Sequence, residues 1–352
     1  MNLLLSELKR QFQSLYPYVI DTLIKENDIC SNFAQDRLKN MIEKTMLNRN
    51  YYSIFPISLA YNLMETNKSE DNIFLAIILD WITELFISSY FLLDDMIDNS
   101  ETRWKQLCSY TTAPKTTLYN SKLMRCSGYS LLKKYFFNKP YYKSLVQLIQ
   151  QSTIMTVLGQ CLDINKCFLT NEKNGANYYS MKMFEYFAEQ KTYFFYCRFS
   201  VYAAMYLADK EMNHELVQID NVFKKLAHIQ QAQNDIWDLY GSEKVMGKRG
   251  NDISQGKFTW LIAKAQELSS TTQLETIKNN YGKEDLECCK NVELIYDQLN
   301  LLTEYFNYKR KYIDDINSKI SKIEDKGIVK VLYTCLEFFE IGDLIILQHK
   351  YS

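Results

Sequence analysis

The chain has 352 residues, 47% of them apolar and 24% charged, with a net charge of −1 and only four Pro and ten Gly. No basic tract supports nucleic-acid binding, and nine Cys without a Cys-x-x-Cys pair, beside only three His (His214, His228, His349), argue against zinc or a disulfide framework. So few breakers over this length point to an all-α protein of long helices, read as a single domain over residues 1–352 in a reduced, cytoplasmic setting.

Taken in order, the N-terminal MNLLLSELKRQFQSLYPYV has a three-Leu run too short for a signal-peptide core and reads as a first amphipathic helix. Helices are expected near 3–26, 31–49, 55–66, 71–99, 118–136, 141–163, 177–208, 213–240, 256–268, 285–305 and 307–349. The last should break near Gly327, while Pro56, Pro114 and Pro140 mark starts or connections. Residues 73–93 alone are long and apolar enough to span a bilayer. Asp80 and Glu84 near the middle make a buried core helix the better reading, with no membrane span.

That apolar run ends in Asp94-Asp95-Met96-Ile97-Asp98, three carboxylates in five residues. Asp94 and Asp98 share a helix face, with Asp95 beside them. Negative charge at a helix C-terminus opposes the dipole, and desolvating it is costly, so something cationic should sit there. Mg²⁺ suits two carboxylates one turn apart, since it takes oxygen ligands and is completed by water and substrate phosphates. A solvated acidic helix end is the plainer alternative. Asp314-Asp315 shows that alternative within the same chain, flanked by Lys and Arg at ion-pair spacing.

A second oxygen-rich stretch is Gln230-Gln231-Ala232-Gln233-Asn234-Asp235-Ile236-Trp237-Asp238. Asn234 and Asp238 stand one turn apart, with Asp235 alongside. A Gly-rich loop follows, carrying Lys248, Arg249 and Lys257. It reads either as an ordinary helix connection or as a flap over an anionic ligand. Two such faces with a cationic flap describe a site for three Mg²⁺ ions and a diphosphate.

These blocks, with Gly159-Gln160-Cys161-Leu162-Asp163, Lys191-Thr192 and VMGKRGNDISQGKFTWL, resemble trans-isoprenyl diphosphate synthases of the farnesyl diphosphate synthase type over almost the full length. The resemblance implies an isoprenoid synthase-type helical bundle around a central cavity, a homodimer, and a prenyl diphosphate substrate. It carries metal binding onto Asp94 and Asp98, with Asp95 supporting, and onto Asn234, Asp235 and Asp238. Arg103, Lys191 and Lys248 would hold the allylic diphosphate, Thr192 and Gln231 would line the site where the allylic cation forms, and Lys257 would lie at the flap.

Departures from the family concentrate on the second substrate, isopentenyl diphosphate, which the family binds without metal. Met46 stands where a lysine is expected, Trp104 replaces an arginine, Ile87 replaces a glutamine, and the basic C-terminal tail is reduced to His349-Lys350-Tyr351-Ser352. Arg49 survives. Charge-assisted contacts contribute about 1.5–3 kcal/mol each, so losing two implies roughly 3–6 kcal/mol, about two to four decades in affinity. Asn234 replaces an aspartate, as in many class I terpene synthases. Ser89 and Tyr90, fifth and fourth before Asp94, stand where farnesyl synthases commonly carry two aromatics that limit cavity depth.

The resulting expectation is an insect-type terpene synthase on a farnesyl diphosphate synthase scaffold, cyclising farnesyl diphosphate to a sesquiterpene. A geranyl or farnesyl diphosphate synthase is the principal rival, and a silent partner subunit the second.

Overall fold

The computed structural model describes residues 2–47, 55–103, 106–164, 180–210, 215–241 and 250–350. Among them the only strands are the antiparallel pair Thr102–Arg103 and Gln106–Leu107. The first half runs α1 (Asn2–Ser14), α2 (Tyr16–Glu26), α3 (Asn32–Ile42), α4 (Ile57–Met64), α5 (Glu70–Ile97), α6 (Ser109–Thr112), α7 (Pro114–Phe136) and α8 (Tyr142–Ile164). The second runs α9 (Met181–Ala188), α10 (Ser200–Leu207), α11 (Leu216–Tyr240), α12 (Asp252–Gln255), α13 (Trp260–Leu268), α14 (Thr271–Asn280), α15 (Leu286–Gln298), α16 (Leu301–Ile320) and α17 (Lys326–Lys350). Residues Glu43–Leu47 and Glu189–Phe199 are helical with the wider π pattern of hydrogen bonds.

The chain groups into two compact units, one of Met1–Gln150, Phe195–Asn213 and Glu324–Cys335, the other of Gln151–Phe194, His214–Ile323 and Leu336–Ser352. In the first, α5 begins at Ser69, whose side chain accepts from the Asn72 amide, with Glu70 and Asp71 on the favourable end of the dipole. Beyond that turn, and up to the acidic block at its end, α5 is predominantly apolar and buried on nearly every side. Among the described residues it is the one helix long and apolar enough to cross a membrane, and 89% of its most apolar window is buried inside the protein. Trp81 stacks on Phe12 at 4.4 Å and donates its indole N–H to the Phe12 carbonyl. Phe86 lies against α7 where Gly128 has no side chain; a Cβ there would meet the Phe86 ring at 2.8 Å.

Asp80, only 2% exposed, explains how a carboxylate survives inside this helix. It accepts from the Ile57 amide at 2.6 Å and the Ser58 amide at 3.3 Å, capping α4, which has no side-chain cap of its own. Burial raises its pKa to about 7 against the pull of these hydrogen bonds.

The second unit packs around Phe184, Phe187, Ile236, Trp260, Tyr296 and Tyr305. Several boundaries differ from the sequence expectation for physical reasons. Within the helix expected over 177–208, the described residues form α9, a widened segment and α10 rather than one α-helix. The break expected near 305–307 falls at Asn300, in the left-handed region at φ 53°. The break expected near Gly327 is present: α16 ends at Ile320 and α17 starts at Lys326, where Asp325 accepts from the amides of Gly327 and Ile328 and the glycine allows close approach to the Met64 carbonyl. Helix α14 has no strong apolar stripe to announce it; the signal was its Ser270–Gln273 capping box.

Because the folded state holds a proton on Asp80 more tightly than the unfolded chain, its contribution favours folding in acid and is lost as pH rises from about 4 to about 7. Asp80→Asn keeps a carbonyl acceptor for α4 but cannot ionise. Chemical denaturation across that range should show wild-type stability falling relative to Asp80→Asn by up to ~4 kcal/mol. Parallel pH profiles for the two proteins would contradict this.

Candidate active site

In the first unit the acidic block ends α5. Asp98 is the C-cap, Asn99 takes the left-handed conformation at φ 52°, and the Ser100 amide returns to the Asp95 carbonyl at 2.9 Å. This closes the helix as a Schellman turn and reverses the chain. The short strand pair that follows brings Arg103 back over the helix end. Its guanidinium contacts Asp94 at 3.0 Å and Asp95 at 2.5 Å, and lies 4.6 Å from the centre of the Phe91 ring. The cation that the acidic helix end requires is thus supplied by the chain itself. Burial raises the pKa of Asp95, with Arg103 opposing the rise, while Arg103 is held firmly protonated because its two carboxylates outweigh its own desolvation.

Asp94 is partly exposed and Asp98 is 9% exposed. Among the described residues no three His, Cys, Asp or Glu side chains gather into a metal cluster of their own. Hard carboxylate oxygens one turn apart still fit Mg²⁺, an ion that takes one or two carboxylates and completes its shell with water and phosphate oxygens.

In the second unit, Gly159 and Asp163 on α8 meet the widened segment. A Cβ on Gly159 would fall 2.5 Å from the Lys191 amide nitrogen, so only glycine permits this approach. One turn on, Asp163 grips the Lys191 ammonium at 2.5 Å, and the same ammonium lies 5.6 Å from the Phe187 ring centre. The spacing of Gly159 and Asp163 is therefore a device for holding Lys191. π-type segments recur at functional sites, and this one carries both Lys191 and Thr192.

Thr192, Gln231 and Asp235 form one buried chain. The Thr192 hydroxyl donates to Gln231 Oε1 at 2.8 Å, Gln231 Nε2 donates to Asp235 Oδ1 at 2.9 Å, and the Trp260 amide donates to Asp235 Oδ2 at 2.6 Å. Asp235 is 3% exposed, and burial, with Asp252 adding to it, pushes its pKa well up. Both of its oxygens are committed within the chain, which suits an anchor better than a metal ligand. Asp238 accepts from the amides of Asn251 and Asp252, capping α12, and Gly250 is the residue that lets the loop return against the Asp238 carbonyl. Asn234 is the exposed member of this block.

Lys257 pairs with Asp252 at 3.3 Å and stays largely buried. Ser89 donates to the Phe86 carbonyl and accepts at its own carbonyl from Ser121. Tyr90 tilts against Phe195 at 5.7 Å, with the Arg125 guanidinium 5.4 Å from its ring centre. Met46 and Ile87 are core residues, 5% and 2% exposed. Arg49, Trp104, Lys248 and Arg249 lie outside the described residues. The sequence reading left Asp163 and Asp252 without a role; the short spacing from Gly159 to Asp163 was the available signal for the first.

Gly159→Ala should cost about 1–3 kcal/mol of stability, because the added methyl must displace backbone rather than a flexible side chain. Urea unfolding checks this, and an unchanged midpoint would refute the close approach.

Comparison with known proteins now bears on this arrangement. The Polyprenyl synthetase family model matches residues 52–299. Farnesyl pyrophosphate synthase 1 of Cannabis sativa is 28% identical over 341 residues, covering 94% of this chain and 98% of the relative. Monoterpene synthase FDS-5, chloroplastic, of Artemisia spiciformis is 30% identical over 339 residues, covering 94% and 84%. The T. brucei farnesyl diphosphate synthase complexed with risedronate matches the structure with a TM-score of 0.85 at 18% identity, over 94% of this chain and 98% of that one. The fold is the all-α isoprenoid synthase bundle, and the chain is an enzyme of the polyprenyl synthetase family.

Proposed function

We propose that the protein is a class I terpene synthase that ionises one prenyl diphosphate, farnesyl diphosphate by preference, and lets the cation react within its own chain. The observation that carries this reading is the pair Met46 and Ile87. At positions where the family holds isopentenyl diphosphate with a lysine and a glutamine, this chain has buried apolar side chains. A relative that bears the name monoterpene synthase and aligns with 94% of this chain supports such use of the scaffold.

Bound Mg²⁺ supplies positive charge that stabilises the departing diphosphate. Asp94 and Asp98 are the residues to hold it. Lys191, aimed by Asp163 and Phe187, presents a cation to the diphosphate, and Arg103 offers a second where its carboxylates turn to metal. As the C–O bond breaks, its electron pair leaves with the diphosphate. The resulting allylic cation is attacked by a double bond of the same molecule, and the product forms by proton loss or water capture.

The buried chain sets a polarity. The Trp260 amide fixes Asp235, Asp235 orients the Gln231 amide, and Gln231 Oε1 accepts the hydrogen bond from the Thr192 hydroxyl. Thr192 is thereby left with oxygen lone pairs as its outward feature, suited to steadying positive charge.

A prenyltransferase making geranyl or farnesyl diphosphate is the second reading. It is favoured by the farnesyl pyrophosphate synthases among the relatives, which match nearly end to end.

The test supplies Mg²⁺ with farnesyl diphosphate alone, and separately labelled isopentenyl diphosphate with geranyl diphosphate. Hydrocarbon or alcohol from the first mixture, with no label in farnesyl diphosphate from the second, is expected. Label entering farnesyl diphosphate as fast as preformed farnesyl diphosphate is consumed would establish the prenyltransferase instead. Chelating the metal, or Asp94→Ala or Asp98→Ala, should lower turnover by at least about a hundredfold; retained turnover in either variant would refute the metal assignment.

A further inference from the structure

The segment Glu189–Phe199 is tied to α11 by Tyr193, whose hydroxyl donates to Asp220 at 2.7 Å, and at two further points one turn apart. Thr192 meets Gln231, as described, and Glu189 Oε1 meets His228 Nε2 at 3.3 Å. Lys191 sits between these rungs in sequence, and its ammonium is drawn aside to Asp163 on α8. An α-helix would fix the backbone of such a residue through its own regular hydrogen bonds. The π-type stretch has a wider i→i+5 turn that recurs at functional sites, and here side-chain ties add to the backbone bonds in setting where its residues stand.

His228 is built into this place. It is 6% exposed, and the Tyr312 ring packs edge-on against it at 5.6 Å. Tyr312 is held in turn by Glu185 on α9 and lies 4.8 Å from the Lys225 ammonium. Glu189 is also paired with Lys224 at 3.2 Å. His228 thus joins the start of the widened segment, α11 and α16 at one point. Neither the metal ligands nor the Thr192–Gln231–Asp235 chain requires a histidine three residues before Gln231.

We infer that His228 is a positioning residue: by holding Glu189 it fixes the first turn of the widened segment, and so the position from which Lys191 reaches a diphosphate. The inference rests on the diphosphate-holding role proposed for Lys191. It also assigns Glu189, one of the more exposed members of the set at 25% of its side chain, a part in substrate geometry rather than in surface charge.

The experiment is calorimetric titration of inorganic diphosphate, with Mg²⁺, into the full-length protein and four variants, well below their melting temperatures. His228→Leu removes the hydrogen bond while filling much of the space, and should weaken binding about tenfold. His228→Gln restores an N–H donor and should bind within about twofold of wild type. Glu189→Ala, a change at a partly exposed position, breaks the same rung from the other side and the Lys224 pair with it, so it should lose at least as much as His228→Leu, which keeps the test decisive if the leucine variant fails to fold. Wild-type affinity in His228→Leu or Glu189→Ala would overturn the inference, as would His228→Gln losing as much as His228→Leu. Lys191→Met is the control that separates the two levels. If it binds diphosphate as tightly as wild type, the role of Lys191 itself has failed. If Lys191→Met loses binding while the His228 and Glu189 variants keep it, only the positioning role has.

Discussion

A carboxylate buried in a helical core must find a donor, and much of this protein is arranged around meeting that demand. Asp80 is answered by the free amides at the start of α4, Asp95 by Arg103, Asp163 by Lys191, and Asp235 by the Trp260 amide and Gln231. Apart from Gln231, which shares α11 with Asp235, each answer comes from a different element, so each also fixes how two elements meet. An unpaired buried charge is severely destabilising, whereas a paired one is close to neutral and highly directional. The acids therefore act as joints. The reaction proposed for this enzyme needs cations, carbonyl oxygens and hydroxyls held in fixed directions, and the same joints supply that.

Glycine has the complementary part. At Gly159 and Gly250 backbone passes where no Cβ could fit, against Lys191 in the first case and the Asp238 carbonyl in the second. Both contacts lie in motifs that also carry an acid, Asp163 and Asp238. Close approach and ionic or hydrogen-bonded anchoring thus occur together, at Lys191 in the first case and at Gly250–Asp252 in the second.

Much of this was legible in the sequence. The breaker-poor composition gave the all-α class, the apolar run around Asp80 and Glu84 gave a buried helix, and the acidic blocks with the Lys191-Thr192 pair gave the family. What the sequence could not show was partnership over distance. Asp80 marks the apolar helix as buried in the core, but its partners, amides twenty-odd residues away, have no signal in the sequence. The resemblance carries a metal role onto Asp235, and nothing in the sequence shows that the Trp260 amide and Gln231 donate to its two oxygens. The π-type hydrogen bonding of Glu189–Phe199 has no periodic signature in an aromatic-rich stretch, so one long helix was expected where three pieces stand. Glu189 and His228 were missed for the same reason: neither belongs to a motif, and they matter only through their contact.

The central claim is that this scaffold retains a metal-dependent diphosphate site and has lost the metal-independent one. It is tested most directly by binding rather than turnover. Isopentenyl diphosphate should be titrated into the protein with all divalent metal chelated, so that the first site contributes nothing. With apolar side chains at Met46 and Ile87, dissociation constants weaker than ~1 mM are predicted, from the roughly two to four decades that the missing charge-assisted contacts represent. Saturable one-to-one binding in the micromolar range under those conditions would contradict the account.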